Sequence, residues 1–248
     1  MSPADGCVVL DLDGVVWLAG EELPGASTAV ALLRGSGRRV LFVTNNSSPT
    51  LDQMTTRLGR IGIEAAEEDV ITAAVAAASV LEPGSTAQVI GDWGVHEAVE
   101  RAGVEIVGRD PEAVVVGWER SFSFETIASA ASNIRAGARF IATNDDPTHP
   151  TPEGLLPGTG ALVAAIATAA EARPTIAGKP GRPTIDLIDR RGGAIELCIG
   201  DRPSTDGELA RALGVPFGLV TSAATPADSV VADHQAWTLL ALVELFLG

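Results

Sequence analysis

The sequence predicts an α/β fold with mostly parallel sheets, because short apolar segments alternate with helical patterns along the chain. In several intervals, apolar residues such as Phe124, Ile127 and Ile134 recur at three- or four-residue steps, which indicates amphipathic helices. The apolar segments are almost continuously hydrophobic, as expected for parallel strands covered on both faces. These predicted strands are Cys7–Leu10, Val40–Val43, Ala87–Ile90, Ala113–Val116, Phe140–Ala142, Ile195–Ile199 and Phe217–Val220.

The middle of the chain differs from its two ends. Breaks at Glu82-Pro83-Gly84 and Ala172-Arg173-Pro174 interrupt the alternating pattern. The part between them has strands and helices of its own, together with a Pro-rich segment, Asp146–Gly154, that we expect to be a loop. We therefore predict a discontinuous core domain of residues 1–82 and 174–248, and a smaller inserted α/β domain of residues 83–173.

Composition and charge narrow the classes of partner. The 248 residues carry a formal net charge of −15, and such a surface repels nucleic acid and anionic membranes. Cys7 and Cys198 lie in apolar segments, which favours reduced core residues over a disulfide or a metal pair. The first residues lack a basic segment ahead of an apolar one, so we expect a cytoplasmic protein.

Polar side chains follow several of the predicted strands. In open α/β sheets, ligands bind outside the carboxyl ends of the strands, so we expect these side chains to converge on one edge of the sheet. Lys179 follows a short apolar segment, Thr175–Ala177. The residues that follow the longer strands are Asp11, Asp13, Thr44, Asn45, Asn46, Asp201 and Asp206.

This set of residue types suits phosphoryl transfer. A carboxylate such as Asp11 can attack phosphorus and form an aspartyl-phosphate, which divides one difficult hydrolysis into two easier steps. Asp13, two residues later, can protonate the leaving group and then deprotonate the attacking water. Clustered carboxylates repel a phosphate dianion, so the site requires a hard cation, and Mg²⁺ accepts carboxylate oxygens together with phosphate and water.

The same reasoning predicts which residues bind the metal ion and which bind the phosphoryl group. Asp11 and Asp201 are the expected side-chain ligands of Mg²⁺, with the backbone carbonyl of Asp13 as a third. Thr44 and Lys179 would hold the phosphoryl oxygens. Lys179 is the single lysine beside sixteen arginines, and a compact ammonium suits a phosphate placed among carboxylates better than a planar guanidinium does.

Four polar segments occur in a fixed order along the chain. They are Asp11-Leu12-Asp13-Gly14, Thr44-Asn45-Asn46, Gly178-Lys179-Pro180 and Gly200-Asp201-Arg202-Pro203-Ser204-Thr205-Asp206. In this order they resemble the motifs of the haloacid dehalogenase superfamily. Their spacing is similar to that of the NagD-like (4-nitrophenylphosphatase-like) subclass IIA, in which an α/β cap is inserted between the second and third motifs. The resemblance covers essentially the whole chain and implies a Rossmann-like core with a cap.

The resemblance implies roles that agree with those inferred from the residues. It identifies Asp11 as nucleophile, Asp13 as acid/base, Thr44 and Lys179 as phosphate-binding residues, and Asp201 as a metal ligand. Asp206 would orient the lysine or a metal-bound water, and Asn45 and Asn46 would be amides on the substrate side. His149 resembles a cap histidine of pyridoxal-phosphate phosphatases; substrate contact and a solvated loop position both remain open. Many members of the subclass form a homodimer through the cap.

The expected activity is Mg²⁺-dependent hydrolysis of a small phosphomonoester, such as glycerol phosphate, phosphoglycolate, pyridoxal phosphate or a nucleoside monophosphate. Asp13 favours phosphate over halide chemistry, because superfamily dehalogenases usually lack this second carboxylate. A phosphotransferase or mutase on the same scaffold is the main alternative. A phospho-receiver domain fits less well, because that architecture is about half as long, and a non-catalytic phospho-ligand binding protein would not need the intact set of carboxylates and lysine.

Overall fold

A computed structural model describes residues 6–18, 20–151, 154–221 and 232–248. The chain forms two compact units. The first unit comprises Met1–Thr44, Asp52–Ile71 and Ile185–Gly248, and the second comprises Asn45–Leu51 and Thr72–Thr184. The second unit contains all of the predicted cap, 83–173, and extends beyond it on both sides, so that Lys179 belongs to the second unit. The cap boundaries themselves remain a prediction.

The strands and helices alternate along most of the chain. The strands are β1 (Gly6–Leu10), β2 (Trp17–Leu18), β3 (Glu21–Glu22), β4 (Arg39–Thr44), β5 (Val70–Thr72), β6 (Thr86–Ile90), β7 (Glu105–Ile106), β8 (Ala113–Val116), β9 (Arg139–Ala142), β10 (Thr148–Thr151), β11 (Gly154–Pro157), β12 (Thr175–Ile176), β13 (Ala194–Gly200), β14 (Phe217–Val220) and β15 (His234–Ala236). The helices are α1 (Ala26–Gly35), α2 (Leu51–Arg60), α3 (Ala73–Ala78), α4 (Trp93–Arg101), α5 (Phe124–Arg135), α6 (Thr159–Ala170), α7 (Arg182–Gly192), α8 (Glu208–Leu213) and α9 (Leu239–Leu247). None of the helices in the described ranges is long and apolar enough to cross a membrane.

The first unit is built on a six-stranded sheet with the order β15-β14-β13-β1-β4-β5. Strand β1 is central, pairs in parallel with β13 and β4, and has all five residues buried. Strands β13, β14 and β15 are also parallel to their neighbours. A strand buried on both faces must be apolar throughout, which is the pattern of the sequence at Gly6–Leu10. The predicted α/β fold with parallel sheets is therefore confirmed.

The second unit has its own five-stranded sheet, with the order β12-β9-β8-β6-β7 and parallel pairing throughout. Helices α5 and α6 pack against it through the apolar positions that predicted them. Ile134, Leu162 and Ile166 are buried in one cluster with Val114 and Phe140 of the strands. Each Å² of apolar surface that these residues bury contributes roughly 25 cal/mol to stability. This burial is the main contribution to the stability of the packing between the helices and the sheet.

The Pro-rich segment forms a hairpin where the sequence predicted a loop. Strands β10 and β11 pair antiparallel, with Thr148 opposite Pro157 and His149 opposite Leu156; residues 152 and 153 lie outside the described residues. Proline is compatible with an edge strand, because an edge leaves half of the backbone N–H groups without a ladder partner. Trp118 anchors the hairpin, since its indole Nε1 donates to the carbonyl of Pro157 at 2.9 Å.

Both cysteines are buried thiols, as the sequence predicted. Cys7 is 0% exposed and Cys198 is 1% exposed. Burial raises the pKa of the Cys7 thiol to about 11, because an apolar environment disfavours the thiolate. A thiol with this pKa stays protonated near neutral pH, so Cys7 is a core residue and not a nucleophile.

The segment that follows β4 packs closely on α4 in the second unit. The Gly94 N–H donates to the carbonyl of Ser48 at 2.9 Å. A Cβ atom at Gly94 would lie 2.3 Å from the carbonyl oxygen of Pro49 and 2.6 Å from that of Ser47. Only glycine permits this approach between the helix and the backbone, because both obstacles are main-chain atoms that cannot rotate away.

We expect Gly94→Ala to lower the free energy of unfolding by about 1 to 3 kcal/mol, since the added methyl group must displace backbone. Gly59→Ala is the matched control, because Gly59 lies in α2 with nothing within 4 Å of its would-be Cβ. That substitution should raise stability by about 0.5 to 1 kcal/mol. Urea denaturation of both variants measures the difference, and equal effects would contradict this account of the packing.

Candidate active site

Three adjacent strands of the first unit end in polar residues at the same edge of the sheet. Asp11 follows β1, Asp201 follows β13, and Thr44 is the last residue of β4. Because β13, β1 and β4 are parallel neighbours, their carboxyl ends lie side by side. The sequence predicted this convergence.

Three carboxylates form the centre of this edge. Asp11, Asp201 and Asp206 each offer an oxygen atom, and these atoms all lie within 4.8 Å of one another. Asp11 is 7% exposed and Asp206 is 1% exposed. Carboxylate oxygens gathered in this way are the ligands preferred by hard divalent cations. The cluster therefore has the chemistry of a Mg²⁺ site.

Two glycines make room for the carboxylates. Gly14 has a φ of +88°, and a Cβ atom there would lie 2.3 Å from Oδ2 of Asp201. A Cβ atom at Gly200 would lie 2.1 Å from Cγ of Asp206. Any other residue would push these carboxylates away from the cluster. The glycine of Asp11-Leu12-Asp13-Gly14 is thus required both for the turn and for the site.

Asp206 is held by a single π-helical turn, Pro203–Gly207. Its Oδ2 accepts a hydrogen bond from the backbone N–H of Arg202 at 3.1 Å, while its own N–H donates to the carbonyl of Arg202 at 2.8 Å. The N–H of Gly207 also reaches the carbonyl of Arg202 at 3.4 Å. Turns of this kind often occur at functional sites. Here the turn directs Asp206 towards Asp11 and Asp201.

Asp13 is exposed and is held by two side-chain donors. The indole Nε1 of Trp17 donates to Oδ1 at 3.0 Å, and the hydroxyl of Thr44 donates to Oδ2 at 3.3 Å. Trp17 is itself 0% exposed, so its ring is a rigid support. The sequence did not predict the Trp17 contact, although its position four residues after Asp13 was a usable signal. A carboxylate that is accessible and oriented can serve in proton transfer.

Lys179 and Asn45 lie together in the second unit. Lys179 is 3% exposed, and its backbone N–H donates to Oδ1 of Asn45 at 2.7 Å. The strand that precedes Lys179, β12, pairs with β9 and so belongs to the second sheet. The expectation from the sequence, that Lys179 follows a strand of the same sheet as Asp11, is therefore wrong. Two-residue strands carry no periodicity from which a sheet partner can be predicted.

The other two predicted site residues also lie in the second unit. Oδ1 of Asn46 accepts a hydrogen bond from the N–H of Ser48 at 3.2 Å, so it orders the turn after β4. His149 is half-buried on β10, with its ring centroid 4.6 Å from that of Trp118. His149 thus lies on a strand and not in the expected loop, and its contact with substrate remains a prediction. Nothing in the sequence pattern indicated Trp118 as its neighbour.

Comparison with known proteins gives a consistent assignment. The profile of the haloacid dehalogenase-like hydrolases matches residues 8–105. The chain is 38% identical over 236 residues to a D-glycerol 3-phosphate phosphatase of Mycobacterium tuberculosis, covering 92% of this chain and 66% of that protein. It is 34% identical over 233 residues to a 5′-nucleotidase of Bacillus subtilis, covering 92% of this chain and 91% of the relative.

A solved structure supports the same assignment. The glycerol phosphate phosphatase from Mycobacterium tuberculosis, in complex with magnesium, superposes with a TM-score of 0.85 at 35% sequence identity. The match covers 96% of this chain and 77% of that one. Sequence and structure thus agree over most of the chain and over both of its units. The chain belongs to the haloacid dehalogenase-like hydrolases.

Proposed function

We propose that this protein hydrolyses small phosphomonoesters in a Mg²⁺-dependent reaction that passes through an aspartyl-phosphate on Asp11. The observation that carries the proposal is the cluster of Asp11, Asp201 and Asp206 at the carboxyl ends of β1 and β13. Membership of the haloacid dehalogenase-like hydrolases and the phosphatase relatives support the same activity.

The residues present fit a magnesium ion. Asp11 and Asp201 would hold it with side-chain oxygens and Asp13 with its backbone carbonyl, while Asp206 would support the cluster from its π-helical turn. The close approach of Gly14 to Asp201 is consistent with a site shaped around a ligand. When bound, Mg²⁺ neutralises charge on the carboxylates and on the phosphate, so that an anionic nucleophile can approach phosphorus.

The chain's own residues would carry the two chemical steps. An oxygen of Asp11 attacks phosphorus, the bond from phosphorus to the ester oxygen breaks, and Asp13 gives its proton to the leaving alkoxide. In the second step Asp13 takes a proton from water, the water oxygen attacks phosphorus, and the bond from phosphorus to Asp11 breaks. Phosphate leaves and Asp11 regains its carboxylate. Trp17 keeps Asp13 oriented in both steps.

We assign the remaining residues on their motifs. Thr44 and Lys179 bind phosphoryl oxygens, and the ammonium of Lys179 stabilises charge that develops in the transition state. Asn46 and His149 are proposed to contact the substrate. The D-glycerol 3-phosphate phosphatase and 5′-nucleotidase relatives support glycerol phosphate and nucleoside monophosphates as substrates, while phosphoglycolate and pyridoxal phosphate remain predictions. Cap boundaries of 83–173, a homodimer and a cytoplasmic location remain predictions.

The direct test is hydrolysis of p-nitrophenyl phosphate with Mg²⁺, with EDTA, and by Asp11→Asn. We expect phosphate release that chelation abolishes, and a loss of roughly 10³-fold or more in kcat for the variant, because the amide cannot attack phosphorus. Asp52→Asn is the matched control, since Asp52 is an exposed carboxylate of the first unit on α2. The control should keep full activity.

Two results would overturn the proposal. Full activity of Asp11→Asn would exclude Asp11 as the nucleophile. Release of p-nitrophenol without an equal amount of inorganic phosphate, in the presence of an added sugar or polyol, would indicate transfer to the acceptor and favour the phosphotransferase alternative.

Gly14→Ala tests the metal site separately from the nucleophile. Its methyl group would meet Oδ2 of Asp201, so we expect the Mg²⁺ concentration for half-maximal activity to rise about tenfold or more. Gly62→Ala is the control, because Gly62 has a similar φ of +80° but nothing within 4 Å of its would-be Cβ. Both variants carry backbone strain, and only Gly14→Ala should change the Mg²⁺ requirement; an equal requirement in the two would contradict the assignment.

A further inference from the structure

The side-chain amide of Asn45 forms hydrogen bonds with both backbone polar groups of Lys179, its N–H and its carbonyl. Its Oδ1 accepts from the backbone N–H of Lys179 at 2.7 Å, and its Nδ2 donates to the backbone carbonyl of Lys179 at 3.2 Å. The amide thus pairs with Lys179 as a neighbouring strand would. The two residues are 134 positions apart in the sequence, so this contact joins two distant segments of the second unit.

The donor capacity of this amide is fully used. An asparagine side chain has two N–H donors, and those of Asn45 point to the Lys179 carbonyl and to Oδ2 of Asp146 at 3.4 Å. The side chain could donate to a phosphoryl oxygen only by giving up one of these bonds. This use of the amide differs from the substrate-side role that the sequence resemblance implied for Asn45.

The surrounding backbone is built to keep this contact. A Cβ atom at Gly178 would lie 2.5 Å from Oδ1 of Asn45 and 2.5 Å from the carbonyl of Thr143. The residue before Lys179 must therefore be glycine for the amide to reach Lys179. The Gly178 N–H donates to the Thr143 carbonyl at 2.7 Å, which fixes the segment from its other side.

A second asparagine supports the first. Nδ2 of Asn144 donates to the backbone carbonyl of Asn45 at 2.7 Å, and Oδ1 of Asn144 accepts from the N–H of Asp146 at 3.1 Å. Asn144 is 4% exposed. The hydrogen bonds thus form a continuous chain from Asp146 through Asn144 and Asn45 to Lys179, and such networks hold their members in one geometry.

We propose that Asn45 is a positioning residue for Lys179, which acts by fixing the lysine's main chain so that the side chain starts from one defined place. The inference rests on the proposed function, in which the ammonium of Lys179 stabilises charge on the phosphoryl group. A lysine side chain has several rotatable bonds, and its ammonium is placed reproducibly only if its backbone is fixed. The hydrogen bonds that link Asn144 and Asp146 to Asn45 help to fix the main chain of Lys179 in the same way.

A double-mutant cycle with p-nitrophenyl phosphate tests this. Asn45→Ala should lower kcat/KM by roughly 10- to 100-fold, as expected for hydrogen bonds lost around a buried group. Part of the loss should fall on kcat, because the ammonium stabilises charge in the transition state. In a Lys179→Ala background, itself slower by roughly 10²-fold or more, adding Asn45→Ala should change the rate by less than about twofold.

The outcomes distinguish a failure of the positioning role of Asn45 from a failure of the proposed role of Lys179. An undiminished effect of Asn45→Ala in the Lys179→Ala background would show that Asn45 acts directly on substrate, and would overturn this inference alone. Full activity of Lys179→Ala by itself would instead overturn the proposed role of the lysine. Full activity of Asn45→Ala in the otherwise native chain would also overturn the inference.

A control and a second variant guard against a simple loss of folding. Asn133→Ala is the control, because Asn133 is a half-buried amide of the second unit that donates to Oε1 of Gln88 at 2.8 Å; its kcat/KM should be unchanged. Asn144→Ala removes the supporting bond to Asn45 and should give a smaller loss that also disappears in the Lys179→Ala background. A loss that persists there would contradict the inference even if Asn45→Ala does not fold.

Discussion

The repulsion among three carboxylates is the constraint on which the first unit depends. Asp11, Asp201 and Asp206 bring oxygen atoms within 4.8 Å of one another at a partly buried strand edge. At an effective dielectric constant of about 20, two ionised carboxylates at that distance or closer repel by at least about 3.5 kcal/mol. The fold must therefore force the carboxylates together, and a divalent cation between them would convert the repulsion into binding energy.

The local geometry around the cluster holds the three carboxylates together against their repulsion. Strand β1 lies between β13 and β4, so the parallel sheet alone brings Asp11 beside Asp201. Gly14 and Gly200 leave space that a methyl group would fill, and the π-helical turn at Pro203–Gly207 returns Asp206 to the same place. Asp13 stays outside the cluster, held by Trp17 and Thr44. Asp11 and Asp13 thus occupy different environments although they are two residues apart.

Much of this could be predicted from the sequence, because parallel strands and their carboxyl ends follow simple rules. All seven predicted strands are present, and Asp11, Asp201 and Thr44 lie at adjacent strand ends. Contacts between distant segments could not be predicted, since hydrophobic periodicity contains no information about them. The pairing of Asn45 with Lys179 is one such contact. The contact of Trp118 with Pro157 is another. The hairpin of β10 and β11 was not predicted because its prolines suggested a loop.

The central claim is that the phosphoryl group becomes bonded to Asp11 during turnover. The most direct measurement is acid quenching of the enzyme within one turnover of a phosphate-labelled ester, followed by peptide mapping of the bound label. The account predicts that the label is found on the peptide that contains Asp11 and that hydroxylamine removes it, as expected for an acyl phosphate. A burst of alcohol release with no label on that peptide would contradict the covalent mechanism.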